Sequence, residues 1–186
     1  GTRVIQMKLS PVITELRRRC PLFEQRVYGA AEFASIEPST ALKMPCAFVL
    51  PLGDTAGEVI FQTDYRQSIE QSIGIAIFVP TSTDETGLIA YDKVEDIKSE
   101  VLRAIVGWCP TDDVDELIYE GSSVLDMNRS RLCVQLEFKV TYDIVDDETR
   151  HGVDISSLPD LKAVHIDVDF VKPDGRLEAS ATINLE

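Results

Sequence analysis

Four carboxylates crowd into residues 111–116: Asp112, Asp113, Asp115 and Glu116. Oxygen ligands at this density can hold a divalent cation, and two neighbouring carboxyls can divide acid and base roles. The spacing supports neither chemistry well. A calcium loop runs Asp-x-Asp/Asn-x-Asp/Asn-Gly toward a distant Glu, and here the glycine of the turn is missing. An acid–base pair needs surroundings that separate the two pKa values, which spacing alone does not provide. The segment reads as a solvated acidic loop, and a small metal-dependent hydrolase built on residues 112–116 is the less favoured alternative.

The other reactive side chains are scattered. Cys20, Cys46, Cys109 and Cys133 show no Cys-x-x-Cys spacing, and with only His151 and His165 they form no zinc set. All four cysteines read as reduced thiols. Arg17-Arg18-Arg19 reads as helix-end charge or a subunit contact before a nucleic-acid patch. The chain has no Gly-x-Ser-x-Gly elbow, P-loop or dinucleotide glycine fingerprint. No catalytic residue, cofactor or metal is expected, and the chain does not read as an enzyme.

The charge is large and uneven. The net charge is −14 over 186 residues; residues 1–90 carry 10 acids and 8 bases, residues 91–186 carry 22 and 10. Affinity gained by neutralising phosphates requires clustered Lys and Arg, so this balance argues against nucleic-acid binding. It suits a solubilising surface, or the wall of a passage through which DNA slides without sticking. Apolar residues make up 44% and charged residues 27%, the balance of a globular chain able to bury a core. No apolar run reaches the roughly 20 residues of a membrane span, and no signal-peptide pattern opens the chain, so synthesis in the cytosol is expected. Residues 1–6 read either as native or as vector-derived, with Met7 the natural start in the second case.

Periodicity supplies the elements that position these groups. Ser10 as N-cap and Pro11 begin a helix with Val12, Ile13 and Leu16 on its apolar face, stopped by Pro21. Residues 27–36 suit a strand turning into a loop. Residues 46–52 read as a buried strand between prolines, with a turn over 53–57 and a short strand over 58–63. Ile69, Ile73, Ile75, Ile77 and Val79 alternate along a strand ending at Pro80, and a polar loop covers 81–87. Asp92 and Glu95 form an N-terminal capping pair for a helix whose stripe is Val94, Ile97, Val101 and Ile105, widened by Leu102. Gly107 caps that helix, Trp108 packs back onto it, and Pro110 prevents restart. A strand starts at 117–121. Over 131–143 Leu132, Val134, Leu136, Phe138, Val140 and Tyr142 share a face, opposite Arg131, Cys133, Gln135, Glu137, Lys139 and Thr141.

Composition changes at Val145. Residues 146–159 look like a linker, and beyond it Val164, Ile166, Val168 and Phe170 alternate, as do Leu177, Ala179, Ala181, Ile183 and Leu185, around a Lys172-Pro173-Asp174-Gly175 turn. The expected fold is α+β: a mixed, mainly antiparallel sheet with helices packed on one side, and a C-terminal β-hairpin extension. Residues 1–145 form the domain and 146–186 the linker and hairpin. A hairpin alone is marginal in water, so it must pack on the domain or add to a neighbouring subunit's sheet. Arg131, Gln135, Glu137, Lys139, Phe170 and Ile183 are the candidate subunit-interface residues.

The region from the helix through Gly107-Trp108-Cys109-Pro110 and the acidic loop to the long strand resembles tail terminator proteins of long-tailed bacteriophages. The matching features are residues 94–108 with Pro110, then Leu117-Ile118-Tyr119-Glu120-Gly121, then the strand through Tyr142. Upstream, Pro45-Cys46-Ala47-Phe48-Val49-Leu50-Pro51 resembles the family's Pro-x-x-x-Val-Leu-Pro segment. The likeness covers about residues 8–145. The resemblance implies a homohexameric ring of the virion's tail or neck, assembled in the host cytoplasm, with no catalytic residues. Such a ring caps the tail tube protein, stops its polymerisation, joins the head–tail connector protein, and lets genome DNA pass without specific binding. Another neck or tail-tube component is the nearer alternative.

Overall fold

The computed structural model describes residues 7–37, 39–61, 64–81, 88–160, 162–168 and 179–184. Its centre is an antiparallel pair, β3 (Tyr65–Pro80) and β5 (Arg131–Val145), in register without a bulge from Arg66↔Val145 to Pro80↔Arg131. The alternation in both sequences brings Ile73, Ile75, Ile77 and Val79 opposite Phe138, Leu136, Val134 and Leu132. Such cross-strand apolar pairs stabilise a sheet at each rung, and one residue of slip would turn every one of them outward.

Three strands flank this pair. On β3 lies β2 (Cys46–Phe61), and on β5 lies β4 (Ile118–Met127), both antiparallel. The two-residue β1 (Val27–Tyr28) pairs in parallel with Ala47 and Phe48, completing the order β1-β2-β3-β5-β4. Helices α1 (Ser10–Arg19) and α3 (Leu88–Ile105) cover one face, where Val12, Leu16, Ala90, Val94, Ile97, Val101 and Ile105 join the inward rows of β3 and β5. The architecture is the expected α+β one.

The Arg triplet does local work. Arg17 sends Nε and Nη2 to the carbonyl of Val27 at 3.0 and 2.6 Å, fastening α1 to β1. Arg18 and Arg19 both reach Glu15 within the helix, and the Arg18 hydrogen bond leads in holding that carboxyl below its usual range.

The opposite face carries a second, smaller core. Cys46, Phe48, Leu50, Ala76, Phe78 and Cys133 are buried there beneath Tyr28, Phe33, Ile36, Leu42 and Met44. Phe48 sits edge-on to Phe78 with centroids 5.6 Å apart, and Phe33 closes on Phe48 at 5.7 Å. Phe33 belongs to α2 (Ala30–Ala34), so this short helix, unlike α1 and α3, serves the second face. The strand turning into a loop over 27–36 is therefore only two residues of strand, followed by a helix. Ala30, Ala31, Glu32 and Ala34 favour helix, and Phe33 anchors it.

Other local expectations are corrected by tertiary context. Ser10 is the first helical residue of α1 and Leu9 the N-cap. The turn over 53–57 is absent: β2 runs continuously from Cys46 to Phe61, with register shifts at Pro51/Gly53 and Ala56/Val59. Pro51 is tolerated because β1 pairs only as far as Phe48, leaving the other side of β2 without a ladder to interrupt. Helix α3 begins four residues before Asp92, so the expected Asp92–Glu95 cap lies inside it, and Glu95 meets Lys98 at 3.6 Å. Ala90, one turn before Val94 on the same stripe, is buried and draws the helix back.

After β5 the stretch read as a linker folds first into a 3-10 turn (Asp146–Glu148) and then α4 (Arg150–Ser156), capped by Thr149, whose side chain accepts from the Gly152 N–H. Strands β6 (Ala163–Val168) and β7 (Ala179–Asn184) then pair antiparallel as the expected hairpin, with Val164↔Ile183 and Ile166↔Ala181. The Lys172–Gly175 turn, and the 81–87 loop apart from Thr81, lie outside the described residues.

Gly107 ends α3 as expected, at φ +75°. Its N–H donates to Leu117 and the Leu117 N–H donates to Trp108, both at 3.0 Å, so the cap also starts the path into β4. A Cβ at position 107 would find its nearest neighbour 3.9 Å away, so the side chain has room and only the backbone objects. Gly107→Ala should cost about 1–2 kcal/mol, the left-handed penalty of an L-residue; a shifted denaturation midpoint with an unchanged m-value would show it.

Candidate assembly interface

The outward row of β5 holds four of the candidate interface residues, Arg131, Gln135, Glu137 and Lys139, and the structure divides it. Arg131, at 6% exposure, is spent within its own chain. Its guanidinium stacks over Phe78 at 5.4 Å, Nη2 donates to the Glu37 carbonyl at 3.1 Å, and Nε is buried without a partner. Cys133 is part of the second core. Burial pushes its thiol up to about 12, and does the same to Cys20 (about 12) and Cys46 (about 11). Cys109 is exposed.

Below Cys133 the row opens. Gln135 donates Nε2 to Glu137 at 3.0 Å, and the missing side chain of Gly74 makes room for the Gln135 amide, which a Cβ there would meet at 3.2 Å. Lys139 bridges three strands, reaching Glu70 on β3 at 3.0 Å and Glu120 on β4 at 3.2 Å. Hydrogen bonds to Glu70 and then Glu120 raise its pKa. Gln135, Glu137 and Lys139 thus form one half-exposed polar strip. Ile183 is 51% exposed on the hairpin, away from this strip in the strand pairing, and Phe170 lies outside the described residues.

The acidic loop borders an open depression of about 360 Å³, lined by Arg66, Asp112, Asp113, Val114, Asp115, Tyr142, Asp143 and Val145. Arg66 pairs with Asp143 across the β3–β5 ladder. Burial, then the charge of Asp54, raises the Tyr142 hydroxyl pKa. Among the described residues no group of three or more His, Cys, Asp or Glu is placed to hold a metal ion.

The larger exposed surface went unread in the sequence. Strand β4 ends the sheet, and Ile118, Val124, Leu125 and Met127 stand exposed along it, Val124 at 56% and Met127 at 57%. Leu88, Ile89 and Tyr91 are exposed at the start of α3. The missed signal was Val124-Leu125 followed by Met127: apolar side chains on both faces of one strand, where a strand covering a single core alternates. Solvent-exposed rows of this kind mark surfaces that meet other proteins.

The model of the family described as phage tail terminator protein matches residues 4–149 of the 186. The chain therefore belongs to the phage tail terminator family, and it is a structural protein of the phage virion tail. The match spans α1 through β5 and stops before α4 and the hairpin. No curated protein matches the chain.

Thiol accessibility tests the two-sided burial described above. The folded protein should react with Ellman's reagent at Cys109 alone, one thiol per chain, and release the other three only in denaturant. Rapid reaction of Cys133 in the folded state would mean that the second core is open.

Proposed function

We propose that the protein is the ring that ends the phage tail: a homohexamer that caps the tail tube, stops its polymerisation and offers its far face to the head–tail connector protein. The observation that carries this reading is the family match over the whole sheet-and-helix body. The surface agrees with it. A ring needs heterologous contacts that close, hence two different sticky surfaces on each subunit. The apolar row of β4 and the first turn of α3 can supply one, and the Gln135–Lys139 strip or the hairpin another.

Charge fits the passage of DNA. Each subunit brings −14, and the Arg residues of α1 that could have gripped phosphate are engaged by Glu15 and the Val27 carbonyl. DNA would slide past such a ring without counterion-release affinity. The same charge makes the subunits repel one another.

Ring formation should therefore strengthen as salt shortens the Debye length from about 10 Å at 0.1 M to about 3 Å at 1 M. Native mass spectrometry or sedimentation is expected to find a species of six times 20.7 kDa, its share rising with protein and salt concentration. A protein that stays monomeric throughout, or one that polymerises alone into open tubes, would count against this reading; the second result would favour a tail-tube component. No retention of duplex DNA is expected even at low salt.

A further inference from the structure

The main sheet has two long free edges among its described residues, and they are built differently. The edge of β2 beyond Phe48 is blunted by Pro51, by two register shifts and by the exposed charges of Asp54 and Glu58, devices that discourage a further strand. The edge of β4 also contains register shifts, at Tyr119/Gly121 and Val124/Asp126, and two exposed acids, Glu120 and Asp126, but it has no Pro to deny a ladder hydrogen bond. Ile118, Val124, Leu125 and Met127 line it, all exposed. A ten-residue edge of this composition is open to strand addition.

The chain also carries strands that lack a sheet. Among the described residues β6 and β7 pair only with each other, and Val164, Ile166 and Ile183 are exposed on them. A lone two-stranded hairpin is marginal in water, so its apolar side chains need another surface. Each of its strands is six residues long and fits within β4. Residues 157–162, between α4 and β6, can span up to about 20 Å when extended, enough to carry the hairpin off its own body.

We infer that the hairpin adds to the free edge of β4 in a second copy of the chain, so that each subunit's five-stranded sheet continues into its neighbour's C-terminal extension. This rests on the self-assembly reading and deepens it by naming the joint. Backbone hydrogen bonds along β4 supply the pairing, and the Val164–Ile183 side chains meet the Val124–Met127 row, the usual division of labour in strand addition. The joint is heterologous, because an edge on one copy receives a hairpin from another, as a closed ring requires. It also assigns a role to the part of the chain beyond the family match.

The test uses full-length protein in a Cys109→Ser background, which removes the exposed thiol. One variant carries Ser123→Cys on β4 and another Thr182→Cys on β7, both at exposed positions. A short bismaleimide should join the mixed variants into a pair of twice 20.7 kDa. The chain carrying both cysteines should likewise link between copies. Linkage only within single chains would overturn the inference, since the hairpin would then sit on its own β4. In parallel, Val124→Lys and Ile183→Lys should each weaken association about ten- to a hundredfold, the loss of one buried aliphatic contact, while leaving the thermal midpoint of the monomer in place. If wild type associates and Ile183→Lys associates equally well, the hairpin joint is wrong and the ring stands. If wild type never associates, both readings fall together.

Discussion

Between Arg66↔Val145 and Pro80↔Arg131, β3 and β5 pair without a bulge, and their inward rows decide where every other element can sit. The Ile73–Val79 and Leu132–Val140 rows offer α3 a continuous apolar floor, and the buried stripe from Ala90 to Ile105 answers it. Because side chains alternate strictly, the same ladder sends Ala76, Phe78 and Cys133 to the other side, where they need a cover of their own. Phe33 of α2 and the residues leading into β2 provide it. One register therefore demands two cores.

The covers are unequal in reach, and that inequality leaves the surfaces available for assembly. On the second face cover ends near Cys133, so Gln135, Glu137 and Lys139 stay half-exposed, Gln135 bonding Glu137 and Lys139 pairing with Glu70 and Glu120. At the rim, Val124 and Met127 lie on the last strand beside buried partners on β5, yet remain exposed themselves. On the proposed ring reading, these incompletely covered surfaces are where subunits would meet.

Much of the fold was legible because its signals are periodic and local. The β3 and β5 alternation, the Val94–Ile105 stripe, the Gly107 cap and the hairpin each stand in the sequence as apolar spacing or punctuation. What escaped was set by neighbours. Pro51 reads as a strand boundary and residues 53–57 as a turn, but an edge without a partner lets a strand run through them. Arg131 reads as a candidate subunit contact because it stands on the polar row of β5; Phe78 and the Glu37 carbonyl, remote in sequence, engage it within its own chain. The β4 row carried a local sign, apolar residues on both faces at Val124-Leu125 and Met127, but which of them stay exposed depends on which helix reaches them.

The most direct measurement is electron microscopy of tail tubes polymerised with and without the full-length protein. The account predicts a six-fold ring at one end of each tube, and no further lengthening when tube protein is added at that end. Tubes that lengthen unhindered, with the protein absent from their ends or spread along their walls, would contradict it.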